Sequence, residues 1–203
     1  FKAKLKLFQN LNKKKKAIIN LDDDWANKIV QNTNADIYTY GFKKDADLHP
    51  KEANFTLSGI KALLMDNNHK INIDTRLIGT YNLSNIMAVV SVALSLDVPP
   101  ETIEVAISKF PGVPGRLEAV PINFPGKVFV DYAHTPDAYE NILSLMRNLS
   151  PQGAQIITLF GCGGNRDRTK RPVMAGIAEK YSDLIFVTSD NPRYENRETI
   201  FSD

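Results

Sequence analysis

The sequence predicts an α/β protein in two parts: a mixed region first, then a Rossmann-like parallel sheet with crossover helices. Three observations carry this. Short apolar runs without clean alternation, "KVFVDY" (127–132), "QIITLF" (155–160) and "DLIFVTS" (183–189), read as strands buried on both faces. Helical spacings lie between them, with Ala138, Ile142, Leu145, Met146 and Leu149 in one and Met174, Ile177, Ala178 and Tyr181 in the other. Upstream, "PGVPGR" (111–116) sets two prolines and two glycines in six residues, which no helix tolerates. The domain boundary is placed there, giving parts 1–111 and 112–203.

Each element follows from a local pattern. "KAIINL" (16–21) and "ADIYTYGF" (35–42) read as strands. "EANFTLSGIKALLM" and "HKINIDTRL" read as two strands joined by the polar turn "DNNH". Residues 84–96, "SNIMAVVSVALSL", are apolar nearly all round, which predicts a helix buried on several faces. Pro100 suits a first helical position, and Ile103, Ala106, Ile107 and Phe110 continue with helical spacing. In the second part Thr135 is an N-cap with Pro136 at the first position, and Asp137 complements the helix dipole.

The bulk composition excludes more than it identifies. The 203 residues are 43% apolar and 24% charged, as in ordinary water-soluble globular chains. A net charge of +2 argues for neither nucleic acid nor a membrane surface. The run "NKKKK" (12–16) has no interleaved aromatics and reads as a solvated loop. One cysteine, Cys162, permits no internal disulfide and fits a reducing, cytoplasmic setting. No apolar run is long enough to cross a bilayer.

Three polar clusters end the three predicted strands, where ligands bind in parallel α/β sheets. "GCGGNRDRTKR" (161–171) offers glycines for close backbone approach and then Arg166, Arg168, Lys170 and Arg171. It is a tight turn with surface cations, or a cradle whose backbone N–H groups and Arg166 take an anion. It is neither a dinucleotide fingerprint nor a Walker A loop. "VDYAHTPDA" (130–138) supplies Asp131, which suits ribose hydroxyls, and His134, which alone reads equally as a loop histidine. "SDNPR" sets Asp190, Asn191, Pro192 and Arg193 side by side, as a polar turn or as a reader of a zwitterion. Before the boundary, "GTYNLSN" (79–85) places Asn82 and Asn85 ahead of a helix, one of them as its N-cap. "GVPGRLE" (112–118) places Arg116 just after the hinge, as a turn cation or a phosphate clamp. No Ser/His/Asp set and no metal-ligand spacing stands out.

In order, "GTYNLSN", "VPGRLE", "VDYAHTPDA", "FGCGGNRDRTKRPVM" and "TSDNPR" resemble the Mur ligases, ATP-dependent enzymes of peptidoglycan precursor synthesis. Within that family "GCGGNRDRTKRP" with "DNPR" resembles the branch that adds meso-diaminopimelate. The resemblance implies that 1–111 is the C-terminal half of a central ATP-binding domain. It implies that 112–203 is most of a Rossmann-like C-terminal domain, incomplete at its end. The implied reaction uses ATP and Mg2+. The D-glutamyl carboxylate of UDP-N-acetylmuramoyl-L-alanyl-D-glutamate is phosphorylated, and an amine of meso-diaminopimelate attacks the acyl phosphate.

Residue roles follow from the same resemblance. Lys4, in "AKLKLF", matches a carbamylated lysine that helps hold magnesium; a carbamate oxygen suits that hard ion. Asn82 and Arg116 match contacts to ATP, and Asp131 matches its ribose ligand. His134 lies beside Asp131 and is counted with Lys4 as catalytic. Arg166 and Asp190, Asn191, Pro192 and Arg193 match the residues that hold diaminopimelate. A buried Arg193 would pair with the distal carboxylate, which lysine lacks, and so reject lysine. The family's uridine-nucleotide domain and Walker A loop are not in this sequence, so the piece alone is expected to be inactive. A monomer acting on small molecules in the cytoplasm is expected. Outside this reading stand a folylpolyglutamate-type ligase and a non-catalytic binding module on the same sheet. A nicotinamide-binding Rossmann protein is the poorest fit, because no dinucleotide fingerprint follows a strand.

Overall fold

The chain divides between Val113 and Pro114, inside the proline- and glycine-rich stretch, in a computed structural model that describes residues 1–203. The unit Phe1–Val113 begins with helix α1 (Lys2–Gln9), strand β1 (Lys16–Asn20), helix α2 (Ala26–Val30) and strand β2 (Asp36–Tyr40). The two strands pair in parallel, with Lys16 opposite Asp36 and Asn20 opposite Tyr40. Ala17 and Ile19 alternate inward from β1 to meet Ala26 and Ala35.

An antiparallel sheet follows, in the order β3 (His49–Thr56), β4 (Gly59–Met65), β5 (Lys70–Thr75). The segment "EANFTLSGIKALLM", expected as one strand, is thus most of a hairpin turning at Leu57–Ser58. The turn lacks the Asn-Gly or Asp-Gly signature of two-residue hairpins. The Thr56 hydroxyl closes it, accepting from the Ser58 N–H at 3.1 Å and donating to the Gly59 carbonyl at 3.2 Å. On β5, Ile71, Ile73 and Thr75 point inward in strict alternation.

Helix α3 (Thr80–Ser95) lies over β1 and β2, and α4 (Pro100–Lys109) over β5. Leu83, Ile86, Met87 and Val90 of α3 join Ile60, Leu64, Ile71 and Ile103 in one aliphatic core. Burial is one-sided, since Val89 and Val92 are exposed; the expectation of a helix covered on several faces fails here. Neither Asn82 nor Asn85 caps α3. It starts at Thr80, four residues before its apolar run, with Gly79 at φ +93° in the N-cap position, and both asparagines lie inside it.

The unit Pro114–Asp203 holds β6 (Glu118–Val120), β7 (Val128–Val130), α5 (Pro136–Leu149), β8 (Ile157–Phe160), α6 (Lys170–Tyr181), β9 (Leu184–Val187) and α7 (Arg197–Ser202). Strands β8 and β9 pair in parallel across the α6 crossover, as predicted, but they are not buried on both faces: Ile157, Leu159, Leu184 and Phe186 are exposed, because only one face meets the packed helices. β7 does not join them. It pairs antiparallel with β6 instead, because Asp131 and Tyr132 bond the backbone of 115–117 and draw that segment alongside β7. Tyr139 and Leu143 of α5 pack on Phe160, Met174 and Ala178, with the Tyr139 and Phe160 rings edge to face at 5.4 Å. The Thr135 hydroxyl caps α5, accepting from the Ala138 N–H at 3.4 Å. No helix of the chain is long and apolar enough to cross a membrane.

Candidate active site

Within the second unit the three strand-end clusters meet. The loop after β8 and the loop after β9 interlock. A Cβ on Gly161 would stand 2.4 Å from the Thr188 carbonyl oxygen, and one on Gly164 would stand 2.0 Å from that of Pro192. Only glycine permits so close an approach. The Gly164 N–H donates to the Asn191 carbonyl at 2.9 Å, and the Asn165 N–H to Glu195 Oε2 at 2.8 Å. These amides are therefore spent on the neighbouring loop rather than left to cradle an anion. The Asn165 side-chain oxygen accepts from the Tyr194 N–H at 2.9 Å, so Arg166 and Arg193 branch from adjoining backbone.

The four cations of the glycine-rich loop separate by role. Arg168 pairs with Asp203 at 2.5 Å. Lys170 donates to the His134 carbonyl at 2.7 Å, tying this loop to the one after β7. Arg171 is 3% exposed and grips Glu195 through both Nη atoms, at 2.9 and 2.8 Å. Arg166 is exposed, and its side chain makes no hydrogen bond or ion pair. Sequence reasoning named Arg171 only among the loop's cations and missed its buried pairing with Glu195. The available signal was spacing: Arg171, Met174 and Ala178 share the buried face of α6, so the guanidinium needed a partner there.

Asp190 and Arg193 stand over Gly163. Arg193 Nη1 lies 2.8 Å, and Asp190 Oδ2 3.4 Å, from where a Cβ on that glycine would sit. A carboxylate and a guanidinium thus share one rim. Arg193 has φ +51°, and its Nη1 donates to the Gly164 carbonyl at 2.8 Å. Contrary to the expectation of a buried arginine, Arg193 is exposed. The bonds this guanidinium makes to the protein run through Nη1. The Asn191 side-chain oxygen accepts from the Arg193 N–H at 3.0 Å, holding the "DNPR" turn.

Around β7, Asp131 accepts the Leu117 N–H on one oxygen and the Ala133 N–H on the other, each at 2.7 Å. A carboxylate has about four acceptor sites, so two remain for a diol. Leu117, at φ +46°, is buried, and its neighbour Arg116 projects from this clamped turn. The Arg116 guanidinium lies 5.3 Å from the centre of the Tyr132 ring. The His134 Nδ1 faces the Tyr132 carbonyl at 3.0 Å, which fixes the proton on Nδ1 of the neutral ring and leaves Nε2 as the outward acceptor.

Charge pairing governs the titrations here. The Arg171 guanidinium and the Asn165 N–H hold the Glu195 carboxyl down to about 2. Burial pushes the Cys162 thiol up, so it is a poor nucleophile near neutral pH.

In the first unit, Asn82 sits in the opening turn of α3 and donates to the Ile78 carbonyl at 2.8 Å. Lys4 is exposed on α1. No three His, Cys, Asp or Glu side chains gather into a metal-ligand set, and an unmodified lysine is no ligand for a hard cation. The residues present therefore do not by themselves build a magnesium site.

Residues 1–93 match the Mur ligase middle domain, and residues 115–203 match the Mur ligase glutamate ligase domain. The chain belongs to the Mur ligase family. Its Mur ligase relatives include the UDP-N-acetylmuramoyl-L-alanyl-D-glutamate–2,6-diaminopimelate ligase of Syntrophomonas wolfei, 43% identical over 99% of this chain and 41% of that protein. The ligase of the same name from Thermosynechococcus vestitus is 41% identical over the whole chain and 41% of its own length. Among solved Mur ligase structures, one titled with that same ligase name covers 99% of this chain and 42% of its own, with a TM-score of 0.69 and 32% identity. The chain thus spans about two fifths of the length of the curated relatives it matches.

Proposed function

We propose that this chain is part of an ATP-dependent ligase that joins meso-diaminopimelate to UDP-N-acetylmuramoyl-L-alanyl-D-glutamate during peptidoglycan precursor synthesis. The complete protein works as a monomer in the cytoplasm, on small molecules. The D-glutamyl carboxylate takes the γ-phosphoryl group of ATP, releasing ADP. The free amine of the diamino acid then attacks the acyl phosphate, giving the amide and phosphate.

The chain's own residues contribute position and charge rather than covalent chemistry. Arg116, on a turn clamped by Asp131, faces the nucleotide phosphates, and the two spare acceptor sites of Asp131 take the ribose hydroxyls. His134 offers Nε2 beside them. Asn82, taken by itself in the first unit, is that unit's residue for an ATP contact. Lys4, as a carbamate, would add an oxygen toward Mg2+. Arg166 and the Nε and Nη2 groups of Arg193 take the distal carboxylate, while Asp190 and Asn191 take the distal ammonium. Pro192 fixes the turn between them.

The observation that carries this reading is the unpartnered Arg166 on backbone adjoining Arg193, with the Asp190 carboxylate beside it. Two guanidinium groups and one carboxylate complement an amino acid with a charged far end. The test is steady-state kinetics on the complete protein, with meso-diaminopimelate and L-lysine compared. A charge-assisted contact is worth about 1.5–3 kcal/mol, so Arg193→Ala should raise the KM for diaminopimelate by roughly tenfold to a hundredfold. The KM for ATP should change less than about twofold. Equal use of lysine by the parent, or equal losses for both substrates in the variant, would overturn the assignment.

A further inference from the structure

The structure assigns Arg171 and Glu195 as a positioning pair that sets the amino-acid-binding rim without touching the amino acid. The inference rests on the reading above. Arg171 lies almost entirely out of solvent, yet its Nε has no partner, so its other nitrogens hold it in place. They meet both Glu195 oxygens, Asp203, and the Gly163 carbonyl at 3.4 Å. Glu195 passes the constraint on. Its Oε2 accepts from the Asn165 N–H, and Asn165 in turn accepts from the Tyr194 N–H. One guanidinium therefore fixes the residue before Arg166 and the residue after Arg193.

Backbone conformation makes the same point independently. Asn165 has φ +52° and Arg193 has φ +51°. Asparagine enters the left-handed region readily, whereas a long side chain such as that of Arg193 stays there where its surroundings over-determine it. Both flank this network, so loosening it frees both loops to relax. Arg168 offers the contrast. It meets Asp203 at the surface, its side chain 56% exposed, and reaches Glu195 only at 3.9 Å.

The test measures KM for meso-diaminopimelate and ATP in the complete protein, together with hydrogen exchange at the Asn165 and Tyr194 amides. Glu195→Ala should raise the diaminopimelate KM about tenfold and leave the ATP KM within about twofold. Glu195→Gln, which still offers an oxygen to the Asn165 N–H, should recover much of the loss, and Arg168→Ala should change neither constant. Both amides should exchange at least about tenfold faster in Glu195→Ala. An unchanged diaminopimelate KM in Glu195→Ala, or parental exchange rates at both amides, would overturn the proposal. If the parent prefers another amino acid and Glu195→Ala raises the KM for that one, the positioning role stands and the diaminopimelate reading falls. If the parent accepts no amino acid, the exchange rates alone decide.

Discussion

The two units organise their interiors differently. The first is held by aliphatic side chains: Leu48, Ile60, Leu64, Ile71, Leu83, Met87 and Val90 are fully buried, and its buried polar residues are Thr39, Thr75 and Ser91. The second buries a smaller cluster around Tyr139, Phe160 and Met174, and its deepest charged residue is Arg171. Non-directional burial is enough to pin helices to a sheet. Loops that must present charges at set angles need directional contacts, and the ion pairs of the second unit supply them.

The sharpest way to break this contrast is to hollow out the first unit. Met87→Ala removes a wholly buried side chain from the centre of the aliphatic core. It should cost about 3 kcal/mol in denaturant unfolding of that unit. A loss below about 1 kcal/mol would mean the site collapses freely and the packing is looser than described.

A smaller effect separates the units by acid. Arg171 holds the Glu195 carboxyl at about 2, against 4.5 for a free glutamate. A depressed carboxylate stabilises the fold above its unfolded value, and that contribution fades as pH falls through the folded one. The Glu195 share should therefore be complete above pH 4.5 and decline toward about pH 2. Glu195→Gln should flatten acid unfolding of the second unit within that window and leave the first unit's curve alone. Parallel curves for parent and variant across the window would remove the ion pair from the stability of this unit.

The smallest effect sharpens the comparison from the other side. Lys61 and Asp74 pair at 3.4 Å across β4 and β5, with both side chains more than 70% exposed. Lys61→Ala should change unfolding free energy by less than about 0.5 kcal/mol. A larger loss would mean that surface charge also supports the aliphatic unit.

Much of this was legible in the sequence where one local rule sufficed. Thr135 and Pro136 announced α5, Pro100 announced α4, and the apolar runs at 155–160 and 183–189 became the parallel pair β8 and β9. The readings failed where a tertiary contact decided. The turn at Leu57–Ser58 carries no strong signature, and its closing bonds come from the threonine before it. β6 is three residues long, too short for a pattern, and it captures β7 through bonds made by Asp131 and Tyr132. At the candidate site the residue types of the rim were visible, but their supports were not. Helical spacing with Met174 and Ala178 turns Arg171 inward, but nothing local names Glu195 as its partner or leaves Arg166 without one.

The interlock at Gly161 and Gly164 has a practical consequence for anyone redesigning what this rim accepts. With the two turns sharing a seam that has no room for one extra methyl group, neither can be lengthened or reshaped alone. A mutant library that varies one side at a time samples only those sequences that keep the seam shut. New guests would call for the paired turns to be recombined as a single cassette.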